Sequence, residues 1–122
     1  MKVMRTPGNV HIDAETDTRM RTFLLNACHP NTKFRMTRAL DVMPRPADAL
    51  DRVKRYFGGQ GPATTALQAA IPVVGECEQY CPGLARWLIV TGYGNEPLMI
   101  AAFAHWAENP VDYSNLPTTR VQ

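Results

Sequence analysis

The residues with the most to offer chemically in this chain are its arginines and lysines. Lys33, Arg35, Arg38, Arg45, Arg52, Lys54 and Arg55 fall within 23 consecutive positions, with Phe34 and Tyr56 set among them. A guanidinium presents a planar fork that pairs with carboxylates or phosphates. Aromatic rings between such cations can stack on nucleobases. No helix-turn-helix or RNA-binding signature accompanies the set, so it suits a protein partner, a nucleic acid or a solvated face. Lys33, Arg35, Arg38, Arg52, Arg55 and Tyr56 are the expected contact residues. Arg52 and Arg55, three apart on a helix, should be surface neighbours.

The remaining reactive side chains are few. The only serine, Ser114, sits in no Gly-x-Ser-x-Gly elbow, which excludes a serine hydrolase of that type. His105 stands three residues before Glu108, so a general base oriented by a carboxylate is conceivable. It also falls near an expected helix C-terminus, where an imidazole favours the dipole without any catalytic role. Cys77 and Cys81 are four apart and share a face if helical. They lack the Cys-x2-Cys spacing of a zinc knuckle, and recruitment of Cys28 and His29 is not demanded by spacing. The expectation is buried, inert, reduced thiols, with no metal and no cofactor. Three cysteines and no apolar leader in residues 1–7 suggest the cytoplasm.

Gly58-Gly59-Gln60 resembles the tripeptide of peptide-chain release factors and ribosome-rescue hydrolases. That resemblance implies a backbone and glutamine placing water at the ester of peptidyl-tRNA. The Ser/Gly-rich lead-in and basic C-terminal tail of the rescue enzymes are missing; this tail carries only Arg120. The glycines also fall where a helix must stop. Three residues of 122 identify no family. The same loop lacks the Gly-Lys-Ser/Thr ending of a phosphate-binding Walker loop, and Gly92-Tyr93-Gly94 is too short for a dinucleotide fingerprint.

The elements that must position these residues follow from periodicity. Residues 2–12 read as two short extended pieces around Pro7-Gly8-Asn9. Asp13 can cap a helix in which Met20, Phe23, Leu24 and Ala27 share a face, ended at His29-Pro30. Residues 33–43 alternate at first and predict a half-buried strand, with Phe34 and Met36 inward and Lys33, Arg35 and Thr37 outward. A helix over about 47–57 should turn Leu50, Val53 and Phe57 inward and stop at Gly58-Gly59. Residues 58–62 read as a loop, and Thr64 or Thr65 can cap a short helix through Ala70. Pro72 and Pro82 then open further helices, because proline disrupts a helix interior. Asn95 is the expected cap of the last helix.

Residues 84–106 carry the core signal: fifteen of the 23 are hydrophobic, and only Arg86 and Glu96 are charged. Trp87, Leu88, Phe103 and Trp106 should centre the fold. The fold class is α+β, predominantly helical: a small N-terminal β element with about five short helices in one compact domain spanning 1–122. Residues 111–122 look like a loose tail. No apolar run approaches the ~18–20 residues of a membrane span.

The charge is unevenly spread. Residues 1–61 carry +5 and residues 62–122 carry −3, for a net +2. A basic half beside an apolar half suits a protein-binding adaptor or inhibitor acting by surface contact, with the plain character of small phage or plasmid accessory proteins. The alternative is a nucleic-acid binder using the basic 33–55 face. The third reading is a small hydrolase using Gly58-Gly59-Gln60. A protein partner is expected, a membrane partner is not, and self-association through the apolar C-terminal half stays open.

Overall fold

A computed structural model describes residues 3–5, 11–27 and 33–109. Cys28, His29 and the expected tail at 111–122 lie outside these residues. β1 (Val3–Arg5) and β2 (His11–Asp13) form an antiparallel pair in the register Val3↔Asp13, Met4↔Ile12, Arg5↔His11. Everything else regular among the described residues is helical. The helices are α1 (Ala14–Ala27), α2 (Lys33–Asp41), α3 (Ala49–Phe57), α4 (Gln60–Tyr80), α5 (Leu84–Thr91) and α6 (Pro97–Glu108). The domain is therefore predominantly helical, and one short strand pair makes the α+β label a weak fit.

Local chemistry explains where α1 begins. Asp13 Oδ1 accepts the backbone N–H of Glu15 at 2.6 Å and of Thr16 at 3.2 Å, which satisfies two otherwise orphaned donors. Met20, Phe23, Leu24 and Ala27 are buried as their spacing requires.

Residues 33–41 form a helix, which corrects the expected strand. The deciding residues are Met36, Ala39 and Leu40, all buried at i, i+3 and i+4. Phe34 faces solvent instead of the core, at 57% exposure. A short alternation is compatible with either period, and the apolar positions beyond it decide the matter.

In α3, Val53 is buried and Phe57 half-buried, but Leu50 is 71% exposed rather than inward. Gly58, at φ 87°, stops this helix, and its N–H and that of Gly59 both reach Lys54 O at 3.0 and 2.8 Å. Gln60 then starts α4 directly, so the expected loop over 58–62 shrinks to its glycines. A single helix of 21 residues replaces the two short helices expected around Pro72. Pro72 sits inside it with an exposed ring. An interior proline removes one backbone hydrogen bond at a cost of about 3 kcal/mol. Packing along α6, α3 and α5 offsets that loss and carries the helix through.

Pro82 precedes α5 by two residues rather than lying in its first turn. The N-terminus of α5 is capped from a distance. Glu78 Oε1 accepts Gly83 N–H at 2.8 Å and Oε2 accepts Ala85 N–H at 2.9 Å. Glu96, not Asn95, flanks the start of α6, with Pro97 at its first position.

The core is continuous across α1, α2, α4, α5 and α6. Trp87, Phe103 and Trp106 are all buried in it. Phe103 and Trp106 meet edge to face at 5.3 Å, and Trp87 stacks on Tyr93 at 5.2 Å. Cys77 and Cys81 are buried one turn apart, and Cys81 Sγ lies 3.4 Å from Met20 Sδ. Among the described residues no three potential metal ligands gather, and no helix is long and apolar enough to cross a membrane.

Candidate partner-binding groove

The arginines divide into those engaged inside the domain and those left facing outward. Arg21 belongs to the first group. Its Nε donates to Asp17 Oδ2 at 2.7 Å, Nη1 to Leu40 O at 3.2 Å and Nη2 to the Tyr93 hydroxyl at 3.3 Å. Asp17 is buried, and its second oxygen accepts the Trp87 indole N–H at 3.0 Å. Tyr93 also donates to Leu40 O at 2.7 Å. This network ties α1 to α5, to the end of α2 and to the turn before α6. Burial alone would lower the Arg21 pKa, but the bonds to Asp17 and Tyr93 outweigh it and hold the guanidinium above its ordinary value.

Arg52, one of the expected contact residues, is engaged in the same way. Its side chain is only 14% exposed and forks onto Glu96, which is 2% exposed. Nη1 donates to Glu96 Oε2 at 2.9 Å, and Nη2 donates to Glu96 Oε1. Nη2 also reaches Arg45 O and Nε reaches Asp48 Oδ1, each at 3.2 Å. Arg45 N–H completes the shell by donating to Glu96 Oε1 at 2.9 Å. The hydrogen bond to Glu96 is the main reason the Arg52 pKa lies above its ordinary value. A raised arginine loses its stabilising charge only as pH climbs through that raised value, so both networks keep their cations throughout the neutral range. Arg45 itself pairs with Asp48 at 3.5 Å on the surface.

Arg35, Arg38 and Arg55 form the second group, and all are exposed. Helices α2 and α3 both pack on α6, and this brings the three together. Two adjoining depressions share Tyr56 and Leu98. Phe34, Arg35 and Arg38 from α2 line one of them over Ala101 and Ala102 of α6. Val42, Arg55 and Pro97 line the other, with the Arg52–Glu96 pair at its base. The result is an open groove with an apolar floor, a cationic rim and two exposed rings, Tyr56 at 51% and Phe34 at 57% exposure. The Arg35 guanidinium sits 5.8 Å from the Phe34 ring centroid, a cation–π distance. Among the described residues no carboxylate pairs with these three arginines.

Of the six expected contact residues, Arg35, Arg38, Arg55 and Tyr56 converge on the groove, and Arg52 lies at its base. Lys33 is exposed at the start of α2 and Lys54 is exposed on α3, and neither lines it. The floor residues Leu98, Ala101 and Ala102 are not singled out by sequence. Their i, i+3, i+4 spacing is a second apolar face of α6, hidden because Met99, Ile100, Phe103 and Trp106 make the helix apolar nearly all round.

The other candidates are placed as follows. Gln60 is an exposed first residue of α4, and its two glycines make the chain reversal between helices. The His105 ring nitrogen lies 3.4 Å from the Asn109 side-chain nitrogen, at the C-terminal end of α6. Comparison of this chain with known protein families, curated proteins and solved structures finds no match.

Proposed function

We propose that this chain is a cytoplasmic protein-binding module, an adaptor or inhibitor, that acts by surface contact through the α2/α3/α6 groove. One observation carries the reading: Arg35, Arg38 and Arg55 stand without carboxylate partners among the described residues, around a floor of Leu98, Ala101 and Ala102. Elsewhere this chain neutralises its enclosed arginines with buried acids. A partner that brings carboxylates to the rim and an apolar side chain to the floor satisfies both halves of the groove. Arginine and aromatic residues together are the usual composition of energetic interface centres.

The test is affinity capture from native lysate with the parent and with Arg35→Glu/Arg38→Glu/Arg55→Glu, each with and without nuclease. A nuclease-resistant protein captured by the parent and lost by the variant supports the reading. Capture that vanishes with nuclease transfers the groove to a nucleic acid, for which Phe34 and Tyr56 offer stacking surfaces. Equal capture by both chains removes the groove from the interface.

A further inference from the structure

The shape of the groove between α2, α3 and α6 restricts what can lie in it. Arg35 and Arg38 on α2 and Val42 just past its end follow an i, i+3, i+7 spacing and line one edge. Phe34, Arg35 and Arg38 stand beside Ala101 and Ala102, whereas Val42 stands beside Pro97 and Leu98. Helices α2 and α6 therefore run in opposite directions along the groove. At a rise of 1.5 Å per residue, the edge from Arg35 to Val42 is about 10 Å long, or two turns of an occupant helix.

The walls offer no free backbone to pair with. All three elements are helices, whose interior N–H and C=O groups bond within the helix. An extended peptide would need a sheet edge to satisfy its own backbone. The strand pair β1–β2 does not line the groove. A helix arrives with its backbone already satisfied and needs only an apolar bed. Leu98, Ala101 and Ala102 supply that bed, and the two alanines let an occupant come close to the α6 backbone. Tyr56, shared by both depressions, is braced edge to face against Phe57 at 4.9 Å, so this anchor surface is preset.

Charge specifies the flanks of such a helix. Four arginines line the two depressions, against one carboxylate, Glu96. Both Glu96 oxygens are taken by Arg52, and Oε1 also by the Arg45 N–H, so this acid does not repel an acidic occupant. The rim keeps Arg35 and Arg38 on the α2 wall and Arg55 on the α3 wall.

We infer that the occupant of the groove is an acidic amphipathic helix of a partner protein. Its apolar stripe lies along Leu98, Ala101 and Ala102, and carboxylates on both flanks of that stripe meet Arg35, Arg38 and Arg55. This inference rests on the reading of the groove as a partner site and deepens it.

The experiment selects random peptides of about 15 residues, long enough to form a helix, on the full chain. Peptides that also bind Arg35→Glu/Arg38→Glu/Arg55→Glu are removed. The enriched peptides should be acidic, free of interior proline, and apolar at i, i+3 or i+4, and i+7. The strongest of them, labelled with fluorescein, should gain helical circular dichroism on binding. A proline placed inside its apolar stripe should weaken it at least about tenfold. Ala101→Gln sets a longer side chain over the floor and should also weaken it at least about tenfold, with the circular dichroism of the free chain unchanged. Failure to enrich acidic peptides, enrichment of proline-rich or alternating sequences, or indifference to both the proline and Ala101→Gln would overturn the inference. If the rim-dependent, nuclease-resistant lysate capture succeeds while no helical peptide is enriched, the groove takes a folded surface and this inference fails alone. If capture ignores the triple reversal, the reading of the groove fails with it.

Discussion

Arg52 reaches across 44 positions of sequence to close a two-pronged bridge on Glu96, joining the middle of α3 to the residue that flanks the start of α6. The pair sits under the groove and fixes the distance between two of its three walls. Breaking one side of such a pair leaves an uncompensated buried charge, at a cost of about 3–5 kcal/mol. Glu96→Ala and Arg52→Ala should each lose roughly that much in chemical denaturation. The double variant should lose less than the sum of the two. A strictly additive double variant would show that the two residues act separately.

The network on the other side of the core predicts a similar asymmetry. Asp17→Ala strips the partner from both Arg21 and the Trp87 indole. It should cost more than Tyr93→Phe, which removes only a hydroxyl bonded to Leu40 O and Arg21. Net hydrogen bonds are worth about 1 kcal/mol, whereas orphaned buried charges cost several times that. Urea midpoints of the two variants give the order directly.

Trp87 and Trp106 are both nearly fully enclosed. Native emission should therefore be blue-shifted and should move red on unfolding. Trp106→Ala should cost about 3–5 kcal/mol, because it empties a site packed edge-on by Phe103. Native emission already at the solvent-exposed wavelength would contradict this packing.

The glycines sort by conformation. Gly58 needs its left-handed φ of 87°, so Gly58→Ala should lose about 1 kcal/mol despite open space around it. Gly75 lies inside α4, and a methyl group added there would meet nothing within 4 Å. Gly75→Ala should gain up to about 1 kcal/mol of helix propensity. Opposite shifts in thermal midpoint are the expected result.

What the sequence reveals is what is settled locally. The Asp13 cap, the apolar face of α1 and the glycine stop after α3 each depend on residues within a few positions of one another. Helix α2 is harder, because Phe34 and Met36 mimic a strand until Ala39 and Leu40 are weighed with Met36. Helix α4 runs through Pro72 because tertiary packing outweighs a local penalty. Arg52 is not legible at all as a structural residue. It shares its helix with Lys54 and Arg55, and only the distant Glu96 distinguishes it from them. The groove is half visible: its cations and Tyr56 stand out, while its alanine floor hides in an apolar helix.

The same distinction decides how the basic face must be probed. Reversing Arg52 would set a second carboxylate against Glu96 and unfold the joint between α3 and α6, so loss of binding would report only loss of structure. Arg35, Arg38 and Arg55 are exposed, and reversing all three should change stability by no more than about 0.5 kcal/mol each. With the fold intact, the partner's affinity should fall at least about tenfold, since three charge pairs at the rim are exchanged for repulsions. Salt then reports on the partner. A steep log-linear loss of affinity between low and physiological salt is the mark of phosphate contacts. A shallow loss fits a protein whose apolar anchor rests on Leu98 and Ala101 and whose carboxylates meet the rim. Tyr56→Ala separates the two contributions further. It should weaken a protein partner at every salt concentration and leave the salt slope unchanged, because the ring carries no charge. If the parent and the triple reversal bind alike, the rim is only solvated and the interface lies elsewhere on the domain.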